Sequence, residues 1–205
     1  RRRVFWTKEC LENKLFKAFL DKASTKQLSE FISFLGGSYI AGENYHILKD
    51  EKYFWRTQRV KDFWDLMLST KGDSPALKEF GTWIEVANNV FEASWLAGRI
   101  NETLDATKGD LEWDYGLVKS IEKFASDAQG DALKILEKHF LAAIGDEQKH
   151  FPIQADKEWY NAFKILYGNI SVRRDTYSLI NRLIEKGGRQ FWILEDIVKN
   201  NQGND

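Results

Sequence analysis

The chain has 205 residues, 43% hydrophobic and 30% charged, a globular balance in a length that can bury a sizeable core. Thirty basic residues against thirty-one acidic ones leave a net charge of −1, without the lysine and arginine excess by which non-specific nucleic-acid binders displace counterions from phosphate. A single cysteine, Cys10, excludes an intrachain disulfide and fits a reducing cytoplasm, and no run approaches the roughly 18 apolar residues of a membrane span.

The first residues read as a helix already in progress. Arg1 stands where a methionine would, and Lys8 and Glu9 interrupt any signal-like apolar run, so the chain is expected to be a fragment of a larger protein. Leu11, Leu15 and Phe19 form a stripe of period four. Ser24-x-x-Gln27 predicts a capping box opening a short helix through Leu28, Phe31, Ile32 and Leu35, which Gly36-Gly37 can end. After a looser segment over 38–50, Tyr53, Val60, Trp64, Met67 and Leu68 share a helical face up to Gly72. Ser74-Pro75 is a further helix start, with Phe80, Trp83 and Ile84 continuing it. The pattern then predicts helices over 91–107, with Trp95, Ile100 and Leu104 inward, and over 114–125, 131–144, 156–167, 171–186 and 190–198.

With only Pro75 and Pro152 as prolines and no alternating strand pattern, the fold class is all-α. About nine or ten helices in simple succession point to antiparallel hairpins stacked as an α-solenoid or an irregular bundle. Residues 1–199 are expected to form a single helical domain, with a possible sub-division near 72–74, and 200–205 a frayed polar tail.

The sharpest chemical candidate is a pair of E-x-x-H motifs, Glu43-x-x-His46 and Glu147-x-x-His150. Two such motifs plus a glutamate from each of two other helices build di-iron or di-manganese sites in ferritin-like bundles, because hard carboxylates bridge two cations while each imidazole completes one shell. Glu12 with Glu112 or Glu122 could supply the extra carboxylates. The surroundings oppose that arrangement: Gly42 precedes the first motif, and Gly145 and Pro152 bracket the second, where rigid helix is required. A di-metal oxidoreductase therefore stands as the alternative, and no metal or cofactor is expected.

Other catalytic signatures are missing. There is no phosphate-binding G-x-x-x-x-G-K-[ST] loop and no G-x-S-x-G elbow, and no arginine precedes a histidine at the spacing of helical ribonucleases. Cys10 is expected in packing, His139 at the edge of the core, and the basic runs Arg1-Arg2-Arg3 and Arg173-Arg174 on solvated surface. Trp64, Trp83, Trp95 and Trp159 fall on inward faces, whereas Trp6, Trp55, Trp113 and Trp192 are the candidates for lining a partner-binding groove.

From Leu77 onward the chain resembles the C-terminal helical region of bacterial antiphage STAND or NACHT-like P-loop ATPases and related conflict-system proteins. The matching pieces are Phe80-x-x-Trp83, Trp95-Leu96, Leu117-Val118 to Phe124, Ala132-Leu133-x-x-Leu136, a loop with Gly145-Asp146, and Leu179-Ile180-x-x-Leu183 with Gly187-Gly188 and Phe191. Upstream, Leu28-Ser29-Glu30-Phe31 resembles the short helix preceding that region. The resemblance implies a helical array that recognises a foreign protein, or holds an upstream ATPase inactive until one arrives. It carries over no functional residue, because the matched positions are spaced apolar residues and turns. The expected function is thus a non-catalytic, cytoplasmic recognition, sensor or scaffold domain. Its partners would be a protein, a phage protein among the possibilities, and the upstream domains of its own chain, with neither nucleic acid nor membrane. A purely architectural adaptor is the remaining alternative.

Overall fold

The computed structural model describes residues 91–109, 111, 115–144 and 157–200, together with positions 18, 22–24, 27, 61, 64, 65, 68, 84, 87 and 88. The described residues are helical, with no strand among them. The chain divides into two compact units, one of residues Arg1–Phe91 with Leu111–Gly116, the other of Glu92–Asp110 with Leu117–Asp205. Before residue 91 only single helical positions of the expected helices are described, at 18, 22, 27, 61, 64, 65, 68, 84, 87 and 88, and the loop with Gly145-Asp146 lies outside the described residues.

In the first unit, Ser24 and Gln27 form the capping box their spacing predicts. The Ser24 amide donates to Gln27 Oε1 at 2.9 Å and the Gln27 amide donates to Ser24 Oγ at 3.3 Å, so each side chain satisfies a backbone donor that a helix start leaves open. Trp64, Ile84 and Ala87 are buried as their helical faces require, and the Lys61 ammonium lies 5.2 Å from the centre of the Phe91 ring.

Six α-helices run through the second unit, the second of them beginning with Tyr115 and Gly116 of the first unit. These are α1 (Ala93–Ala106), α2 (Tyr115–Asp127), α3 (Gln129–Ala143), α4 (Lys157–Gly168), α5 (Arg173–Gly187) and α6 (Glu195–Lys199), with a 3-10 segment, Gly188–Leu194, before the last. The expected single helix over 190–198 is therefore two pieces. The apolar spacing of three and four continues through both, with Phe191, Leu194, Ile197 and Val198 buried, so periodicity alone could not reveal the tighter turn.

Alternate helices run parallel. Asn101 Nδ2 of α1 donates to the Asp131 carbonyl of α3 at 3.0 Å, and further along both helices Lys138 Nζ meets Asp105 Oδ2 at 2.7 Å. Partner numbers rise together, as they must for parallel neighbours. The same holds for α2 and α4: Lys119 pairs with Glu158, and Asn161 Nδ2 donates to Glu122 Oε1 at 3.0 Å. Helix α5 packs on both α3 and α4, and α6 packs on α4.

Tight connections make this stacking possible. A single residue, Ala128 (φ −146°, ψ 56°), separates α2 from α3, and Gln129 Nε2 turns back to the Ser126 carbonyl at the end of α2. Between α4 and α5 the Asn169 carboxamide oxygen accepts from both the amide (2.9 Å) and the hydroxyl (2.7 Å) of Ser171, a side-chain turn of the Asx type. Arg173 departs from its expected place on solvated surface. It is half-buried, donates Nε to the Tyr167 carbonyl at 3.1 Å, and so satisfies an open acceptor where a cation also suits the helix dipole.

The core is apolar at helical spacing: Leu96, Ile100 and Leu104 from α1; Leu117, Ile121 and Phe124 from α2; Ile135, Leu136 and Phe140 from α3; Trp159, Phe163 and Leu166 from α4. Trp95, expected inward, is only half-buried, because Leu96 and Ile100 take the central line of α1. Two buried hydroxyls find a carbonyl one turn back, Thr107 Oγ1 donating to Thr103 at 2.8 Å and Thr176 Oγ1 to Val172 at 2.8 Å, whereas the wholly buried Ser120 hydroxyl has no hydrogen-bond partner among the described residues.

Helix α1 ends in a Schellman arrangement, the Gly109 amide bonding the Leu104 carbonyl at 2.7 Å and the Lys108 amide that of Asp105 at 3.4 Å. Lys108 carries the left-handed conformation, φ 55°, usually given to glycine there, and Gly109 follows at φ 81°. A Cβ on Gly109 would lie 2.3 Å from Ala142 Cβ and 3.0 Å from the Lys138 carbonyl, so α3 closes directly on this turn. Two substitutions should therefore act in opposite directions in urea denaturation followed by circular dichroism. Lys108→Gly relieves a backbone cost of about 1 kcal/mol at an exposed side chain and raises the midpoint. Gly109→Ala adds both strain and overpacking, and lowers stability by about 2 kcal/mol or more.

Candidate functional site

Among the described residues of the second unit, two depressions stand out. One, of about 300 Å³, lies between α5 and α6 and is lined by Tyr177, Ile180, Asn181, Ile184 and Glu185 from α5 with Glu195 and Val198 from α6. The other, of about 350 Å³, lies between α3 and α5. Gly130, Leu133, Lys134 and Glu137 line one side, and Val172, Asp175, Ser178, Leu179 and Arg182 the other.

Local sequence explains the first. Helix α5 buries Thr176, Leu179, Ile180 and Leu183 against its neighbours. Tyr177, Asn181 and Ile184 follow one another by four and three residues and form a second face beside that one, with Glu195 and Val198 of α6 on the far side of the depression. Tyr177 remains 43% exposed, an amphipathic ring at the groove's margin.

The two depressions differ in charge. In the α3–α5 depression two cations face two carboxylates, and Arg182 Nη2 bridges the helices to Glu137 Oε1 at 2.8 Å, so its charges compensate internally. The α5–α6 groove has two carboxylates and no lining cation. Lys199 reaches Glu195 Oε2 at 2.5 Å from one turn along α6, and this hydrogen bond holds the ammonium pKa above its ordinary value. Exposed pairs of that kind are weak and screened by water and salt, so the contact leaves Glu195 open to exchange.

Among the described residues no three His, Cys, Asp or Glu side chains gather where they could hold a metal ion. Of the residues proposed from sequence, Glu43, His46, Glu147 and His150 lie outside the described residues, as do Glu12, Glu112, Cys10, Trp6, Trp55, Trp83 and Trp113. Glu122 is described, and it accepts its hydrogen bond from Asn161 in the α2–α4 contact. Trp192 is 53% exposed in the 3-10 segment, with the Arg189 guanidinium 5.6 Å from its ring centre. Trp64 and Trp159 are wholly buried, as expected of packing residues. His139 sits at the edge of the core, stacked on Trp159 with ring centres 5.2 Å apart. The α5–α6 groove itself was not anticipated. Its only sequence signal was the second stripe on α5, which a search for the strongest apolar face passes over.

No family model, curated protein or solved structure matches the chain.

Outside the grooves, one ion pair has a measurable signature. Lys119 on α2 hydrogen-bonds Glu158 in the first turn of α4, and that bond, more than any other influence, holds the Glu158 carboxyl below its ordinary pKa. A depressed carboxylate contributes stability that is fully present above the unfolded value near 4.5 and is lost as pH falls through the folded value. Lys119→Met should therefore raise the Glu158 pKa in a carbon-detected NMR titration. It should also cost about 0.5 kcal/mol at neutral pH, a difference that closes in acid once Glu158 is protonated in both proteins.

Proposed function

We propose that this chain is a non-catalytic helical-repeat domain that recognises a protein partner, and that it serves in the cytoplasm as the sensing or scaffolding part of a larger bacterial antiviral-defence ATPase. The observation that carries the repeat reading is the parallel register of alternate helices, α1 with α3 and α2 with α4. Stacked helical hairpins place every second helix in that relation, and a solenoid is built by continuing it. The defence context rests on the resemblance of the segments from Phe80 to Phe191 to antiphage ATPase helical regions. No helix among the described residues is long and apolar enough to cross a membrane, which agrees with a domain that works on protein surfaces.

In this proposal the stacked core acts as a rigid frame, and exposed positions such as Tyr177 and Trp192 supply contact area with few rotors to immobilise. Binding would favour one of two states of the parent protein, by as much as the partner's affinity differs between them. The purified chain, immobilised and exposed to lysates of phage-infected and uninfected bacteria, should retain one phage protein specifically. Retention of nothing across several phages would contradict recognition and leave the architectural adaptor. Metal analysis of chain purified without chelator should find no stoichiometric iron or manganese; near-stoichiometric metal, about two ions per chain, would turn the account to the di-metal alternative.

A further inference from the structure

We propose that the α5–α6 groove docks an amphipathic protein segment whose aliphatic side chains are flanked by lysine or arginine, an assignment that rests on the recognition reading above. The argument is charge complementarity over an apolar floor. Half-buried Ile184 offers aliphatic surface above the buried Ile180 and Val198, and Tyr177 adds an exposed ring at the margin. Glu185 on α5 and Glu195 on α6 put a carboxylate on each wall, with the Asn181 carboxamide between them able to donate and accept.

The groove has no lining cation, so phosphate, nucleic acid and anionic lipid meet like charge there, while a cationic flank meets opposite charge on both sides. Its volume, about 300 Å³, is at the lower limit of small-molecule pockets and suits inserted side chains. Lys199 does not close it. That ammonium reaches Glu195 from the same helix in an exposed pair, weak enough for an incoming cation to compete with it at small cost. The α3–α5 depression is the internal contrast, similar in size but with its charges already matched.

The test is calorimetric titration of the full chain with two helical probe peptides. One carries leucines on one face flanked by arginines, and its twin has glutamates in place of the arginines. The arginine probe should bind saturably, weakening as salt rises, and the glutamate probe should not. Joint Glu185→Lys and Glu195→Lys should lower affinity for the arginine probe roughly tenfold and admit the glutamate probe. Should that variant fold poorly by circular dichroism, joint Glu185→Gln and Glu195→Gln should still weaken the arginine probe. Equal binding of the two probes, binding of neither, or indifference to these substitutions overturns the assignment. The infected-lysate capture separates the two proposals. Undiminished capture by the lysine variant, with no probe preference, sinks the groove and leaves recognition standing. Absence of capture by the unaltered chain counts against recognition itself, while the probes still decide the groove.

Discussion

Phe140 is the side chain on which the rest of the second unit depends. Its ring centre lies 5.0 Å from Trp159, 6.1 Å from Phe163 and 5.8 Å from Phe191, so one residue of α3 touches α4 twice and the 3-10 segment once. Trp159 and Phe191 meet it edge to face, the arrangement the aromatic quadrupole favours. All four rings are wholly buried. Each such burial contributes about 1.5–3 kcal/mol, and the pairs add about 0.5–1.5 kcal/mol beyond area. Most of the marginal stability of a domain this size could be lost with the cluster.

Gly187 makes room for that cluster. Its backbone is ordinary, φ −99° and ψ −7°, and any residue could adopt it. Space is what excludes a side chain, because a Cβ there would lie 2.1 Å from Phe191 Cε2, on a ring with no solvent to retreat into. The end of α5 can therefore approach the ring closely enough for the chain to turn into the 3-10 segment, which packs on α5 and leads into α6. The proposed docking groove is a product of that turn, which joins core packing to surface shape in a single contact.

Much of this was legible in the sequence, and the failures have physical causes. The five longer helices of the second unit follow from apolar spacing within two residues at each end, and the Ser24–Gln27 box follows from its signature. Tertiary register was not legible: the parallel pairing of α1 with α3 rests on contacts such as Lys138 to Asp105, distant in sequence and made by residue types common on any helix surface. The break at Ala128 was invisible because alanine favours helix, and only its neighbours' geometry overrides that preference. The role of Gly187 was hidden for a related reason. A glycine near a helix end reads as a conformational stop, whereas here it yields space to an aromatic ring. The groove was hidden because its floor is a minor stripe on a helix whose major stripe faces the core.

The central claim, that Gly187 and Phe191 together seat the aromatic cluster, is tested most directly by a double-mutant cycle in chemical denaturation. Gly187→Ala alone should destabilise the protein by about 1–3 kcal/mol through overpacking. In a Phe191→Ala background, with the ring gone and the backbone compatible with any residue, the same change should become neutral or stabilise by about 0.4–1 kcal/mol. A Gly187→Ala effect of equal size and sign in both backgrounds would contradict the account.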